Sequence, residues 1–122
     1  MTRRPNEAHG PPPLVHRTAD FRGVNVALLR DGSALCGLLL SAAGAAGLTT
    51  AEPPLLRSLP RDGYAVVLLL DLGHVTVHTI PDRELLLLDL VVPQGRDPQK
   101  AVDVFTRKLG HAESRAGRLD RG

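Results

Sequence analysis

Two histidines and a threonine alternate with aliphatic residues along residues 74–80, and this pattern predicts a half-buried strand. His74, Thr76 and His78 would then share the polar face of that strand. Imidazoles beside a hydroxyl suit acid–base or nucleophilic catalysis, so we interpret these three residues as the candidate catalytic group. The alternative is that they are polar side chains of a solvated groove.

The same spacing argues against a metal pair. Four residues along a strand span about 13 Å, which is too far for His74 and His78 to share one ion. We therefore predict no metal site, while a three-ligand arrangement that includes His16 stays open as an alternative. Cys36 is the single cysteine, which excludes an internal disulfide. Its apolar surroundings indicate an inert, buried thiol.

The elements that must position these residues follow from hydrophobic periodicity and helix-capping signals. Ser33 is the expected N-cap of an apolar helix that Gly47 ends. Asp97 and Pro98 begin a second helix, which Gly110 ends. The remaining predictions are a helix over residues 34–46, strands over 14–24, 64–72, 74–80 and 84–92, an extended segment over 48–59, and turns at 60–63 and 81–83.

The predicted order is strand, helix, three or four strands, helix. Short links between consecutive strands favour antiparallel pairing. We therefore predict an α+β fold, a two-layer sandwich in which a mainly antiparallel sheet carries helices on one face. The other face is left for a ligand or a partner.

Three regions divide the chain of 122 residues. Residues 1–13 are polar, end in three consecutive prolines and predict a disordered arm. Residues 14–110 predict a single folded domain. Residues 111–122 carry alternating charges and two glycines, which predict a flexible tail. A domain of this size gains from pairing with a second copy, because small domains bury little of their surface.

Composition narrows the functional classes. The net charge is +2 and the arginines are scattered among acidic residues, whereas nucleic-acid binding favours a clustered basic face. Aromatic residues are only 2% of the chain, too few for a base-stacking surface. No signal segment or apolar run of about 20 residues is present. We therefore expect a cytoplasmic protein that contacts neither nucleic acid nor membrane.

Residues 73–82 resemble the central motif of the small bacterial S-adenosylmethionine decarboxylases, which reads roughly Ser-His-aliphatic-Ser/Thr-aliphatic-His-Thr-Trp-Pro-Glu. Weaker similarities occur in the same order at residues 16–21, 42–47, 88–90 and 97–101. The resemblance covers about residues 14–110. It implies an antiparallel sheet with helices on one side, and a homodimer with sites near the subunit interface.

The resemblance also places the family's chemistry, and here the chain departs. In the family, a serine becomes a pyruvoyl group through self-cleavage, and this ketone forms a Schiff base with the substrate amine. That serine falls at Gly73, which has no hydroxyl. The preceding acid falls at Leu72, the catalytic cysteine at Pro93 and a second processing serine near Ala65. His78, the processing histidine, is retained, and the motif's tryptophan and glutamate become Ile80 and Asp82.

These departures predict a chain without a pyruvoyl cofactor that is not an active S-adenosylmethionine decarboxylase. It would bind S-adenosylmethionine or a related ligand, or would partner another protein, with His16, Asp82 and Asp89 as candidate ligand-binding residues. The alternative is a repurposed enzyme that uses the His74/His78 pocket for acid–base chemistry on S-adenosylmethionine or another small polar substrate. A purely structural interaction module is the third hypothesis.

Overall fold

The computed structural model of the protein describes residues 10–122. Within this range six strands form one sheet in the order β2-β3-β4-β5-β1-β6, and all neighbouring strands are antiparallel. The elements are β1 (Leu14–Arg22), α1 (Val26–Leu29), α2 (Gly32–Ala45), β2 (Leu55–Ser58), β3 (Tyr64–Leu69), β4 (His74–Ile80), β5 (Leu85–Pro93), α3 (Pro98–Lys108) and β6 (Glu113–Arg121), with short 3₁₀ turns at Pro60–Asp62 and Pro81–Arg83.

Burial alternates along the strands because helices cover one face of the sheet. In β5, Leu86, Leu88, Leu90 and Val92 are buried, while the residues between them are partly exposed. The buried strand residues form one core with the apolar stripes of α2 and α3. The predicted two-layer α+β sandwich is therefore confirmed.

The helix boundaries confirm one predicted cap and correct another. Asp97 caps α3, because its Oδ1 accepts from the backbone N–H of Gln99 at 3.1 Å. The prediction that Ser33 caps α2 is wrong. Asp31 is the N-cap, and its Oδ1 accepts from the N–H of Ala34 at 3.0 Å, so the helix starts before Ser33. Gly47 follows the helix with φ +69°, as predicted for its stop.

The C-terminal segment corrects the predicted flexible tail over residues 111–122. β6 pairs with β1 along its whole length, from the Arg22–Glu113 pair to the Leu14–Arg121 pair. The sheet therefore extends beyond the predicted boundary at residue 110. Residues 1–9 of the predicted arm lie outside the described residues, whereas the carbonyl of Pro13 accepts from the N–H of Gln94 at 3.0 Å.

Smaller differences concern element ends. The helix α1 was not predicted. The strand predicted over residues 14–24 ends at Arg22, because Gly23 has φ +71° and turns the chain. The strand predicted over residues 64–72 ends at Leu69, and β4 has the predicted bounds. The predicted turns at residues 60–63 and 81–83 are the two 3₁₀ segments.

Thr79 is the one buried polar residue of the described chain, with 1% of its surface exposed. Its hydroxyl donates to the carbonyl of Leu29 at 2.9 Å and accepts from the N–H of Tyr64 at 2.9 Å. One side chain of β4 therefore satisfies the end of α1 and the first residue of β3. The bond to Leu29 ties α1 to the sheet, and the bond from Tyr64 joins the start of β3 to β4.

We expect Thr79→Val to lower the free energy of unfolding by about 1–3 kcal/mol, because the change keeps the side-chain shape but removes the partner of the buried Leu29 carbonyl and of the part-buried Tyr64 N–H. Urea unfolding followed by circular dichroism measures the loss. Thr76→Val is the matched control on the same strand, since Thr76 lies on the uncovered face. We expect it to change stability by less than about 0.5 kcal/mol. Equal losses in the two variants would contradict the role given to the Thr79 hydrogen bonds.

Candidate functional site

The face of the sheet without helices carries a cleft of about 500 Å³. It lies over β4, β5 and β1, the strands at the centre of the sheet, and it reaches the end of β6. Both polar and aliphatic side chains surround it. The lining residues are Pro13, Leu14, His16, His74, Thr76, Asp89, Val91, Arg121 and Gly122.

Strand register brings four of the predicted site residues into this cleft. Thr76 on β4 lies directly opposite Asp89 on β5. His74 and His16 lie on either side of Val91, one on β4 and the other on β1. These residues share one face because side chains that are paired across antiparallel strands point the same way.

His16 and Asp89 form the principal polar contact of the cleft. Nε2 of His16 lies 2.9 Å from Oδ1 of Asp89. The side chains are 24% and 38% exposed, respectively, so the pair is accessible from the cleft. Sequence reasoning named both residues but missed their contact. The two residues are 73 positions apart, and only the β1–β5 register brings them together.

His78 lies on the same face as His74 and Thr76, as predicted, but it is exposed and does not line the cleft. Its cross-strand neighbours are Ala65 and Leu87. The structure therefore separates this histidine from the His16–Asp89 pair.

Asp82 lies in the 3₁₀ turn after β4, at the end of that strand far from His74. Its Oδ2 is 3.2 Å from Nη1 of Arg61, in a solvent-exposed ion pair. The structure does not bring Asp82 to the cleft. Exposed pairs of this kind contribute little to stability.

Gly73 occupies a position that no other residue fits without a backbone shift. Its φ is +99°, a region that residues with a β-carbon rarely adopt. A β-carbon built there collides with the carbonyl oxygen of Val91 and lies 2.9 Å from the carbonyl carbon. The N–H of Leu70 donates to the carbonyl of Gly73 at 3.1 Å and closes the tight β3–β4 turn.

Two of the other positions predicted to depart from the family motif lie near this turn. Leu72, which is 53% exposed, and Pro93 line a second cavity of about 110 Å³ beside the turn. Ala65 lies apart from them, opposite His78 on β3. Three of the four predicted departures, at Leu72, Gly73 and Pro93, therefore lie where the β3–β4 turn meets the end of β5.

Within residues 10–122, no group of three or more histidine, cysteine, aspartate or glutamate side chains has an arrangement that could hold a metal ion. Cys36 is a free cysteine, half-buried on α2 and packed against the core. Among the helices of the described part of the chain, none has the length and hydropathy needed to cross a membrane.

Comparisons with known proteins agree on one family. The family model described as S-adenosylmethionine decarboxylase matches residues 15–122. A relative from Brevibacillus brevis, named S-adenosylmethionine decarboxylase proenzyme, is 32% identical over 108 residues, which cover 88% of this chain and 80% of the relative. The crystal structure of the adenosylmethionine decarboxylase from Aquifex aeolicus superposes with a TM-score of 0.83 at 23% identity and covers 93% of both chains, so it supports the fold.

We expect Gly73→Ala to destabilise the protein more than Gly95→Ala, and thermal unfolding of both variants measures the difference. The two glycines have similar backbone angles, with φ +99° and +90°, but a β-carbon at Gly95 meets no atom within 4 Å. Gly95→Ala therefore reports the backbone strain alone, of about 1–3 kcal/mol. Gly73→Ala adds the collision with Val91, for a further loss of about 1–3 kcal/mol. Similar losses at the two positions would show that the collision is relieved without cost.

Proposed function

Because the chain belongs to the S-adenosylmethionine decarboxylase family, we propose that it binds S-adenosylmethionine or a related ligand in the cleft, and that it neither forms a pyruvoyl group nor decarboxylates this ligand. The observation that carries the proposal is Gly73 at the motif position of the pyruvoyl-forming serine.

The residues around position 73 do not fit the pyruvoyl group. A glycine has no hydroxyl to attack the preceding carbonyl, so the family route to self-cleavage has no nucleophile at this position. The collision of a β-carbon with the Val91 carbonyl supports the same conclusion, because a serine would need a different turn. We therefore propose that the chain carries no pyruvoyl cofactor.

The cleft supports the ligand-binding half of the proposal. Its volume of about 500 Å³ lies within the range of about 300–1,000 Å³ that small-molecule sites occupy. Its lining combines aliphatic walls, such as Val91 and Leu14, with polar groups from three strands. A nucleoside-containing ligand has both apolar and polar surfaces that such a lining can contact.

A homodimer is the proposed assembly. The uncovered face presents exposed apolar side chains from β3, β4 and β6, namely Leu69, Ile80 and Leu119. These side chains share the uncovered face with the cleft, and exposed apolar side chains on that face favour a protein contact. The low surface burial of a small domain favours the same contact.

The second candidate function is a repurposed enzyme, and the His16–Asp89 contact favours it. A histidine held by a carboxylate beside a hydroxyl-bearing residue has the components of acid–base catalysis. In this case His74 and Thr76 belong to the cleft, and His78 is outside its lining. Turnover of S-adenosylmethionine or another small polar substrate is the measurement. Loss of this turnover in His16→Phe, with turnover retained in His78→Ala, would favour this candidate.

Intact mass spectrometry of the purified chain tests the first half of the proposal, with release of labelled carbon dioxide from S-adenosylmethionine as the activity measurement. We expect one uncleaved chain and no carbon dioxide above background. We also expect Gly73→Ser to stay uncleaved, because the restored hydroxyl lacks room beside Val91. Two fragments, one of them with a pyruvoyl end, would contradict the proposal in either protein.

Calorimetry with S-adenosylmethionine and its decarboxylated product tests the second half. We expect binding to the wild-type chain, and a thermal midpoint that rises with ligand concentration. Val91→Trp fills the cleft and should weaken binding at least about tenfold, since the added ring displaces the ligand. Leu87→Trp is the control, because Leu87 shares the strand and the face but does not line the cleft. If neither ligand binds the wild type, the ligand-binding proposal fails.

A further inference from the structure

The His16–Asp89 hydrogen bond determines which polar groups the cleft offers to a ligand. An ionised carboxylate only accepts hydrogen bonds, so the imidazole nitrogen bonded to it carries the hydrogen. That nitrogen is Nε2 of His16. A neutral His16 is therefore fixed as the Nε2–H tautomer, and its Nδ1 keeps a lone pair.

The remaining acceptors of the pair are open to the cleft. Nδ1 of His16 has no hydrogen-bond partner within the described residues. It is also not a buried unpaired atom, since within residues 10–122 those atoms are Nε of Arg17 and Nδ1 of His111. For Asp89, the contact with His16 occupies Oδ1 and leaves Oδ2 as a second acceptor. With His16 neutral, the pair thus presents acceptors and no donor.

The neighbouring residues in the cleft do not change the acceptor character of the His16–Asp89 pair. Thr76 lies opposite Asp89 on one side and Thr18 lies opposite it on the other, and a hydroxyl can either donate or accept. Arg121 is the guanidinium of the cleft and lies on β6 opposite Leu14, two residues before His16. Within the described residues it makes no hydrogen bond to His16 or Asp89, which bond to each other. His74 is two residues from Thr76 along β4.

We propose that His16, oriented by Asp89 as a positioning residue, accepts a hydrogen bond from an O–H or N–H group of the ligand and makes the cleft selective for ligands that carry such a donor. This inference rests on the proposed function and specifies how the ligand is recognised. S-adenosylmethionine carries donors in two places, on its nucleoside and on its α-amino group.

Two measurements on the full chain test the inference. Long-range ¹H–¹⁵N spectra of the histidine rings report the tautomer of His16 in the wild type and in Asp89→Ala. Calorimetry measures the affinity of three probes: S-adenosylmethionine; 5′-methylthioadenosine, which lacks the α-amino group; and S-methylmethionine, which lacks the nucleoside. The variants are His16→Phe, Asp89→Ala and the control Asp20→Ala, which removes a carboxylate of β1 outside the cleft lining.

The inference predicts the Nε2–H tautomer in the wild type and a mixture in Asp89→Ala. It also predicts at least about a tenfold loss of affinity for S-adenosylmethionine in His16→Phe and in Asp89→Ala, and less than about a twofold change in Asp20→Ala. The two shorter probes identify the donor. A loss confined to 5′-methylthioadenosine assigns it to the nucleoside, and a loss confined to S-methylmethionine assigns it to the α-amino group.

The negative outcomes separate this inference from the proposed function. Wild-type binding that stays unchanged in His16→Phe and Asp89→Ala overturns the recognition role alone, as does an Nδ1–H tautomer in the wild type. Absence of binding by all three probes to the wild type rejects both the proposed ligand and its recognition by His16.

Discussion

Within residues 10–122, helices cover one face of the sheet and leave the other open, and the rest of the structure depends on this constraint. Because successive strand residues point to opposite faces, the helices over one face require an aliphatic residue at every second position. β5 satisfies this requirement with Leu86, Leu88, Leu90 and Val92. The residues between them face the uncovered side and need not be aliphatic. Asp89 is one of these residues. The polar cleft therefore exists because the core needs only half of each central strand.

Thr79 shows how the same constraint shapes the central motif. Within the His-Thr pair at residues 78 and 79, the histidine faces the uncovered side and the threonine faces the helices. The threonine hydroxyl bonds to Leu29 and Tyr64 and contributes to folding. A motif that looks like one chemical unit in the sequence is thus divided between two layers. Similarity across the motif consequently reports shared architecture in part, because alternate side chains of its strand face the core.

Much of the fold could be predicted from the sequence, and the failures have physical causes. β4 and α3 were predictable because their periodicity and capping signals are local. β6 was missed because it is an edge strand whose two faces are both exposed apart from Gly117, so it needs no aliphatic alternation and resembles a polar tail. In the site, the shared face of His74 and Thr76 was predictable, because every second side chain of a strand points to the same face. The His16–Asp89 contact was not, since it depends on the register between β1 and β5.

The fit of Gly73 against Val91 links the proposed absence of pyruvoyl chemistry to the packing of the turn. A serine that must attack its own backbone needs a β-carbon and space to move, whereas Gly73 has neither beside the Val91 carbonyl. Leu72 and Pro93 lie at the same end of the sheet, around a cavity too small for a substrate. The larger cleft is lined by His16, His74 and Asp89, among others, and does not include Gly73. The proposed absence of a reactive residue at the turn is therefore compatible with a cleft that has polar groups, because Gly73 is not part of the cleft lining.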